Sequence, residues 1–69
     1  MTIRSDSVVV DIKVHHAIID FGPELGKRVF QATVTWAGHG IVAEPQGDNI
    51  PQLLQRVADA VAAAGKTFV

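Results

Sequence analysis

The sequence predicts a small α+β domain of order β-β-β-α, and three observations lead to that prediction. Two segments alternate apolar and polar residues with period two, as half-buried strands do. A final segment repeats its apolar residues every three to four positions, as an amphipathic helix does. A chain of 69 residues is long enough for a single domain, residues 1–69, and no more. We therefore expect a three-stranded antiparallel meander with the helix packed across one face.

The first strand is predicted over residues 7–15, with an extension to residue 21 as the alternative. The alternation changes phase around His15-His16-Ala17, and one inserted residue would reverse the facing of every residue after it. The sequence therefore predicts a bulge or bend at this point. The glycine- and proline-rich segment 22–27 should form a loop. The apolar face of the strand would comprise Val8, Val10, Ile12 and Val14.

The second strand is predicted over residues 28–36 and the third over residues 41–44. The glycines of the segment 37–40 can take the positive φ that a tight hairpin turn requires. Pro45 has no N–H to donate to a ladder, so the third strand should stop before it. Trp36 shares the phase of the apolar face, which favours a place in the core over a ligand-stacking role. That face comprises Phe30, Ala32, Val34 and Trp36.

The helix is predicted over residues 50–64, after a loop at Gln46-Gly47-Asp48. Asn49 is a favourable N-cap, and Gln52 completes the spacing of a capping box. Gly65 is expected to follow the last turn as the C′ residue. The apolar residues with helical spacing are Ile50, Leu53, Leu54, Val57, Ala58, Val61 and Ala64.

The composition predicts a thin core. Of 33 apolar residues, ten are valine and nine are alanine. The chain has no cysteine, which excludes a disulfide and a thiolate metal site. Small domains without such a staple often gain the missing burial from a partner. This composition disfavours a secreted mini-protein, a disordered tail and a stand-alone enzyme.

The charge balance disfavours nucleic acid as a partner. Six basic and seven acidic residues give a net charge of −1, without the positive excess that is typical of nucleic-acid binders. No apolar run approaches the roughly 18 residues that a membrane span needs. The N-terminal segment also lacks the pattern of a signal peptide. We therefore expect no membrane association and a cytoplasmic location, with another intracellular or a virion-associated location as the alternative.

The three histidines are the only plausible reactive groups. His15 and His16 are adjacent, so in a strand they point to opposite faces and cannot bind one ion together. A zinc-type site would need one of them to meet His39 and a carboxylate. We favour the alternative that they are half-exposed surface residues. No serine or threonine has the setting of a nucleophile, so no catalytic residue, metal site or cofactor is predicted.

Several apolar residues are predicted to lie where the single helix cannot cover them. One group of valines and isoleucines falls on the sheet face opposite the helix. A second group of small residues lies on the outer face of the helix, where high helix propensity is the alternative explanation. An uncovered apolar patch usually marks an interface. The expected interface residues are Val9, Ile19, Val29, Val42, Ala60 and Ala63.

The turn Gly47-Asp48-Asn49 and the helix start that follows it resemble the HicB-type antitoxins. That family is a β-β-β-α branch related to half of a double-stranded-RNA-binding fold, and a Gly-Asp-Thr turn caps its helix. The likeness covers residues 8–64, but the family's aromatic residue in the first strand and its Pro-Gly step are missing. The segment 40–47 is also longer than in the family. The resemblance implies an oligomeric module that masks a protein partner by contact.

A second resemblance lies at the hairpin. Thr35-Trp36-Ala37-Gly38 is similar to a step found in small actinobacterial proteins of unknown role that share the β-β-β-α order.

The residues taken together predict a non-enzymatic interaction module that self-associates, with a homodimer favoured. Two classes of function remain open. One is a HicB-like antitoxin or regulator that masks a protein partner. The other is a structural or assembly subunit, such as a small phage virion protein. A distant third is an RNA-binding fragment, whose affinity would fall steeply with salt.

Overall fold

The computed structural model describes residue 3 and residues 7–68. The elements are β1 (Val10–Ile18), β2 (Arg28–Trp36), β3 (Gly40–Ala43), β4 (Gln46–Gly47) and α1 (Ile50–Phe68). The strands pair antiparallel in the order β1-β2-β3, and the short β4 pairs with the part of β2 that β3 leaves free. The α+β class and the succession of strands followed by one helix are therefore confirmed.

The β1–β2 hairpin is more regular than predicted. The two strands pair without interruption from Val10 opposite Trp36 to Ile18 opposite Arg28. The bulge predicted at residues 15–17 is therefore wrong. The run of apolar residues there suggested a change of phase, but pairing with β2 keeps the strand in register. Even-numbered residues of β1 consequently share one face along the whole strand.

The β2–β3 turn forms as predicted. His39 N donates to Trp36 O at 2.9 Å, and Gly38 takes the positive φ of 83° that this turn requires. A β-bulge does occur in β3, because the pairing of β2 with β3 shifts between Val34 and Thr35. Its extra residue is Val42, which packs against the core on the helix side. The prediction that Val42 lies on the face opposite the helix is therefore wrong.

Pro45 separates β3 from β4, and both of these strands pair with β2. β3 stops at Ala43, as predicted from the missing N–H of this proline. The carbonyl of Pro45 still accepts a hydrogen bond from Ala32 N at 3.0 Å. Pairing then resumes at Gln46 and Gly47, which the sequence had placed in a loop.

Both ends of α1 are fixed by side chains. At the start, Gln52 N donates to Asn49 Oδ1 at 2.8 Å, and Asp48 N donates to Gln52 Oε1 at 2.7 Å, so the predicted N-cap is confirmed. The predicted end at Gly65 is wrong, because the helix continues to Phe68. The Phe68 ring lies 5.6 Å from Trp36 and stacks on His39 at 3.9 Å, which secures the last turn.

The core is as thin as the composition suggested. Its centre lies where α1 packs over β2 and β4, and it consists of Ala32, Val34, Leu53 and Val57. Trp36 is 8% exposed, so its predicted place in the core is confirmed. The buried hydrophobic residues among those described are Val29, Ala32, Val34, Trp36, Leu53 and Val57.

Two glycines give a matched test of this packing. In Gly47→Ala the added Cβ would lie 2.7 Å from Leu53 N and 2.9 Å from Leu53 Cα. We expect the free energy of unfolding to fall by about 1–3 kcal/mol, because backbone atoms must move apart. In Gly65→Ala the added Cβ meets only the Trp36 ring, at 3.7 Å. That variant should gain about 0.5–1 kcal/mol, because alanine is the better helix former.

Urea denaturation of both variants measures the two changes. Equal shifts in the same direction would contradict the close approach of Gly47 to α1.

Candidate interaction surface

The exposed apolar residues are more numerous than the buried ones. Of the residues described, eleven large apolar side chains are at least 41% exposed, against six buried hydrophobic residues. Single exposed apolar residues are normal in soluble domains, so their grouping decides whether they mark a surface.

The helix lies over β2 and β4 and does not extend across β1. Arg56 Nη1 donates to Gln46 O at 2.6 Å, which fixes one flank of α1 over β4. Ala60 continues that flank and lines a hollow with Val42 of β3. Leu54 is about 200° around the helix from Arg56, so it lies on the opposite flank, towards β1.

A group of half-exposed apolar residues lies on this β1 side. Ile12 and Val14 are on the helix side of the sheet, because they pair with the core residues Val34 and Ala32, yet they are 44% and 45% exposed. On the facing flank of α1, two further residues are 41% and 52% exposed. We call these four residues the β1 strip: Ile12, Val14, Ile50 and Leu54.

The β1 strip is not predicted by the apolar periodicity, because that periodicity places all four residues on the buried faces of their elements. The width of a helix compared with the spacing of strands could have indicated the strip. A helix with its side chains is about 10–12 Å across. Strands lie about 4.8 Å apart, so one helix covers two strands and leaves the third uncovered.

The structure separates the six residues predicted to form an interface. Val29 is only 5% exposed, so the prediction that it contributes to an open surface is wrong. Val9 is 54% exposed at the start of the β1–β2 hairpin, whereas Ile19 is half-buried at its loop end. The other three come together around a hollow of about 390 Å³ between β3 and α1: Val42, Ala60 and Ala63.

The outer edge of β1 is open. Within the part of the chain that the structure describes, β1 has β2 as its single neighbour in the sheet. It is nine residues long and pairs with β2 without a bulge. The opposite edge is formed by the four-residue β3, with its bulge, and is interrupted at Pro45. Short length, bulges, proline and charged side chains protect an edge from further pairing, and of these β1 has only the charges of Asp11 and Lys13.

Charged side chains lie on the other face of β1. Asp11 and Lys13 are neighbours there, with 4.0 Å between Lys13 Nζ and Asp11 Oδ2. Their cross-strand partners on β2 are Thr35 and Thr33, which carry no charge. Both charged groups are therefore available to a further strand beside β1.

A second charged group ties the β1–β2 loop to the start of α1. Lys27 Nζ lies 2.9 Å from Asp48 Oδ1 and 3.6 Å from Glu24 Oε1. The hydrogen bond to Asp48 and then the charges of Asp48 and Glu24 raise the pKa of Lys27 above its usual 10.5. This group has a structural role and lies at the opposite end of β2 from the β2–β3 turn.

The histidines stay apart. His15 Nε2 is 3.4 Å from Thr33 Oγ1, whereas His16 lies on the other face with its ring 4.8 Å from that of Phe30. His39 is at the far end of the hairpin, against Phe68. Over residues 3 and 7–68, no three potential metal ligands come together. The same residues include no helix long and apolar enough to cross a membrane.

Comparison with protein-family models, curated proteins and solved structures finds no match for this chain. The resemblance to HicB-type antitoxins therefore gains no support beyond the residues that suggested it.

The Lys27 group generates a pH-dependent prediction. A lysine whose pKa is raised by folding stabilises the folded state fully below pH 10.5, and this contribution is lost as the pH rises through the higher folded value. We therefore expect Lys27→Met to be less stable than the unmodified chain at neutral pH, and the difference to shrink above pH 10.5. Urea denaturation across this range measures it.

Added salt should also reduce the difference, because the side chains are exposed. Asp48→Asn is the matched control, since it removes the first partner and leaves the lysine in place. A stability difference that is unchanged by pH and salt would contradict the ion pair.

Proposed function

We propose that this chain is a non-enzymatic protein-interaction module that works as a self-associating unit. The observation that carries the proposal is the coincidence of two unsatisfied features on one side of the domain. The β1 strip exposes apolar side chains there, and the edge of β1 exposes backbone N–H and C=O groups. A second protein surface placed against β1 would cover both at once.

The thin core supports association. Of the residues described, six hydrophobic residues are buried, whereas eleven large apolar side chains are at least 41% exposed. Burial of further apolar surface against a second copy would therefore have a large weight in the stability of the domain.

The ordered polar side chains have structural roles that need no substrate. Asn49 and Gln52 cap the helix, and Arg56 binds a backbone carbonyl of β4. Lys27 and Asp48 hold the long loop against the helix start. These contacts support an interaction module rather than an enzyme.

The hollow between β3 and α1 favours a further partner of a different kind. Its lining includes Val42, Ala60 and Ala63, and it lies across the sheet from the β1 strip. A self-associated module would keep this hollow accessible. Two protein surfaces fit a dimeric regulator that masks a partner, as the resemblance to HicB-type antitoxins implies. They also fit the alternative, a structural subunit such as a small phage virion protein.

The proposal is tested by sedimentation equilibrium at low micromolar concentration. We expect a mass of twice 7.4 kDa. Leu54→Glu should weaken self-association about tenfold or more, because its carboxylate would lose hydration in the covered strip. Ile41→Glu is the matched control. Ile41 is 60% exposed, but it lies on β3 with its side chain on the face opposite the helix.

A stable, folded monomer at all accessible concentrations would refute self-association. The two classes of function are separated by capture of partners from the native host and by the neighbouring genes. A small basic ribonuclease-like protein would support the regulator, and capsid or tail proteins would support the structural subunit.

A further inference from the structure

We infer that a second copy of this chain docks on the free edge of β1, antiparallel to it, about a two-fold axis through Ile12. In this arrangement Asp11 of each copy lies opposite the partner's Lys13. The inference rests on the proposed self-association and specifies the surface and the strand register that produce it.

The hydrogen-bond pattern of β1 limits how a second strand can pair with it. Ile19 N donates to Lys27 O at 3.0 Å, and Val9 O accepts from Ala37 N at 2.9 Å, so the odd-numbered residues of β1 bond to β2. In an antiparallel ladder, the residues between them direct both backbone groups to the other side. The even-numbered residues from Val10 to Ile18 therefore direct their N–H and C=O groups to the open edge. A second strand uses these groups only when its even residues lie opposite them.

The side chains impose the same parity. The even-numbered residues Ile12 and Val14 lie on the helix side of the sheet, whereas Asp11 and Lys13 lie on the other face. Opposing even residues bring the apolar side chains of both copies together on the helix side. A shift of one residue would place those apolar side chains against the charged face of the partner. Backbone and side chains thus select the same set of registers.

Among axes at residues 11 to 14, the charges favour one register, in which residues 10–14 of the two β1 strands face each other. An axis at Asp11 or at Lys13 would place like charges directly opposite each other, which is destabilising. An axis at Val14 would place Asp11 opposite the partner's Ala17, so the carboxylate would gain no cation. The axis at Ile12 pairs Asp11 with the partner's Lys13 twice. These are the non-hydrogen-bonded positions, where facing Cα atoms are only about 4.5 Å apart.

The same axis unites the two apolar strips. A two-fold axis between paired edge strands runs perpendicular to the sheet, so both helices lie on the same side of the joined sheet. Ile12 and Val14 of the two copies then form one continuous apolar floor between the helices. Ile50 and Leu54 of each helix face across this floor towards the other copy. One docking event therefore pairs the backbone edge and joins the two β1 strips into a single apolar groove between the helices.

A single introduced cysteine can test the register, because the chain has none of its own. In Ile12→Cys the two thiols meet on the axis, with Cα atoms about 5.5 Å apart. A hydrogen-bonded pair holds its Cβ atoms at the far end of the cross-strand range of about 4.5–5.5 Å, beyond the about 3.5–4.5 Å of a direct disulfide. A thiol-bridging linker of one or two carbons spans the difference. We expect rapid formation of a cross-linked dimer with this reagent.

Val14→Cys is the matched control, since Val14 lies on the same strand and face and is equally exposed. Residue 14 would face the partner's Val10, about 13 Å from the partner's residue 14. This variant should therefore form little cross-linked dimer.

The outcomes separate this inference from the proposed function. Cross-linking of Val14→Cys in preference to Ile12→Cys would overturn the register. If neither variant cross-links while the unmodified chain sediments as a dimer, the β1 edge is not the dimer interface. Self-association itself would still hold. A monomeric unmodified chain would overturn both.

Charge reversal gives an independent test of the same contact. Asp11→Lys and Lys13→Asp should each weaken the dimer about tenfold or more, because each replaces two attractive pairs by two repulsive ones. The double variant Asp11→Lys/Lys13→Asp restores both pairs and should recover the original affinity. Circular dichroism checks that all three variants remain folded. A double variant as weak as the single variants would overturn the pairing of Asp11 with the partner's Lys13.

Discussion

The structure depends on the packing of a single helix against the middle of the sheet. Leu53 and Val57 lie on Ala32 and Val34, and these four residues form the centre of the core. The contact is close because Gly47 has no side chain where α1 begins, directly beside the backbone of Leu53. A helix held over β2 and β4 cannot also cover β1. The exposed strip and the open edge both follow from this one placement.

The helix is held in this position at both ends. At its start, the cap at Asn49 and the pair of Lys27 with Asp48 connect it to the loop and to β4. At its end, Phe68 packs against Trp36 and the β2–β3 turn. These contacts run along the line of β2 and place the helix over β2 and β4 rather than over β1. Exposure of the β1 strip follows from this placement.

Features with local signals were predictable from the sequence. The Asn49 cap, the turn at Gly38 and the alternation of β2 are encoded in neighbouring residues, and the structure has them where expected. The errors concern features set by distant contacts. Gly65 continues a helix because the aromatic cluster holds the last turn, and Val42 turns to the core because a bulge moves it. The β1 strip follows from the width of the helix, which no single segment encodes.

The two edges of the sheet differ in a way that bears on the size of an assembly. A domain with two open edges can add copies at both ends and grow into a filament, as heterologous contacts do. In this chain, the bulged β3 and Pro45 leave one edge poorly suited to pairing. Association through β1 consumes the open edge of each copy. Growth would then end at two copies, as a closed and symmetric particle rather than a fibre.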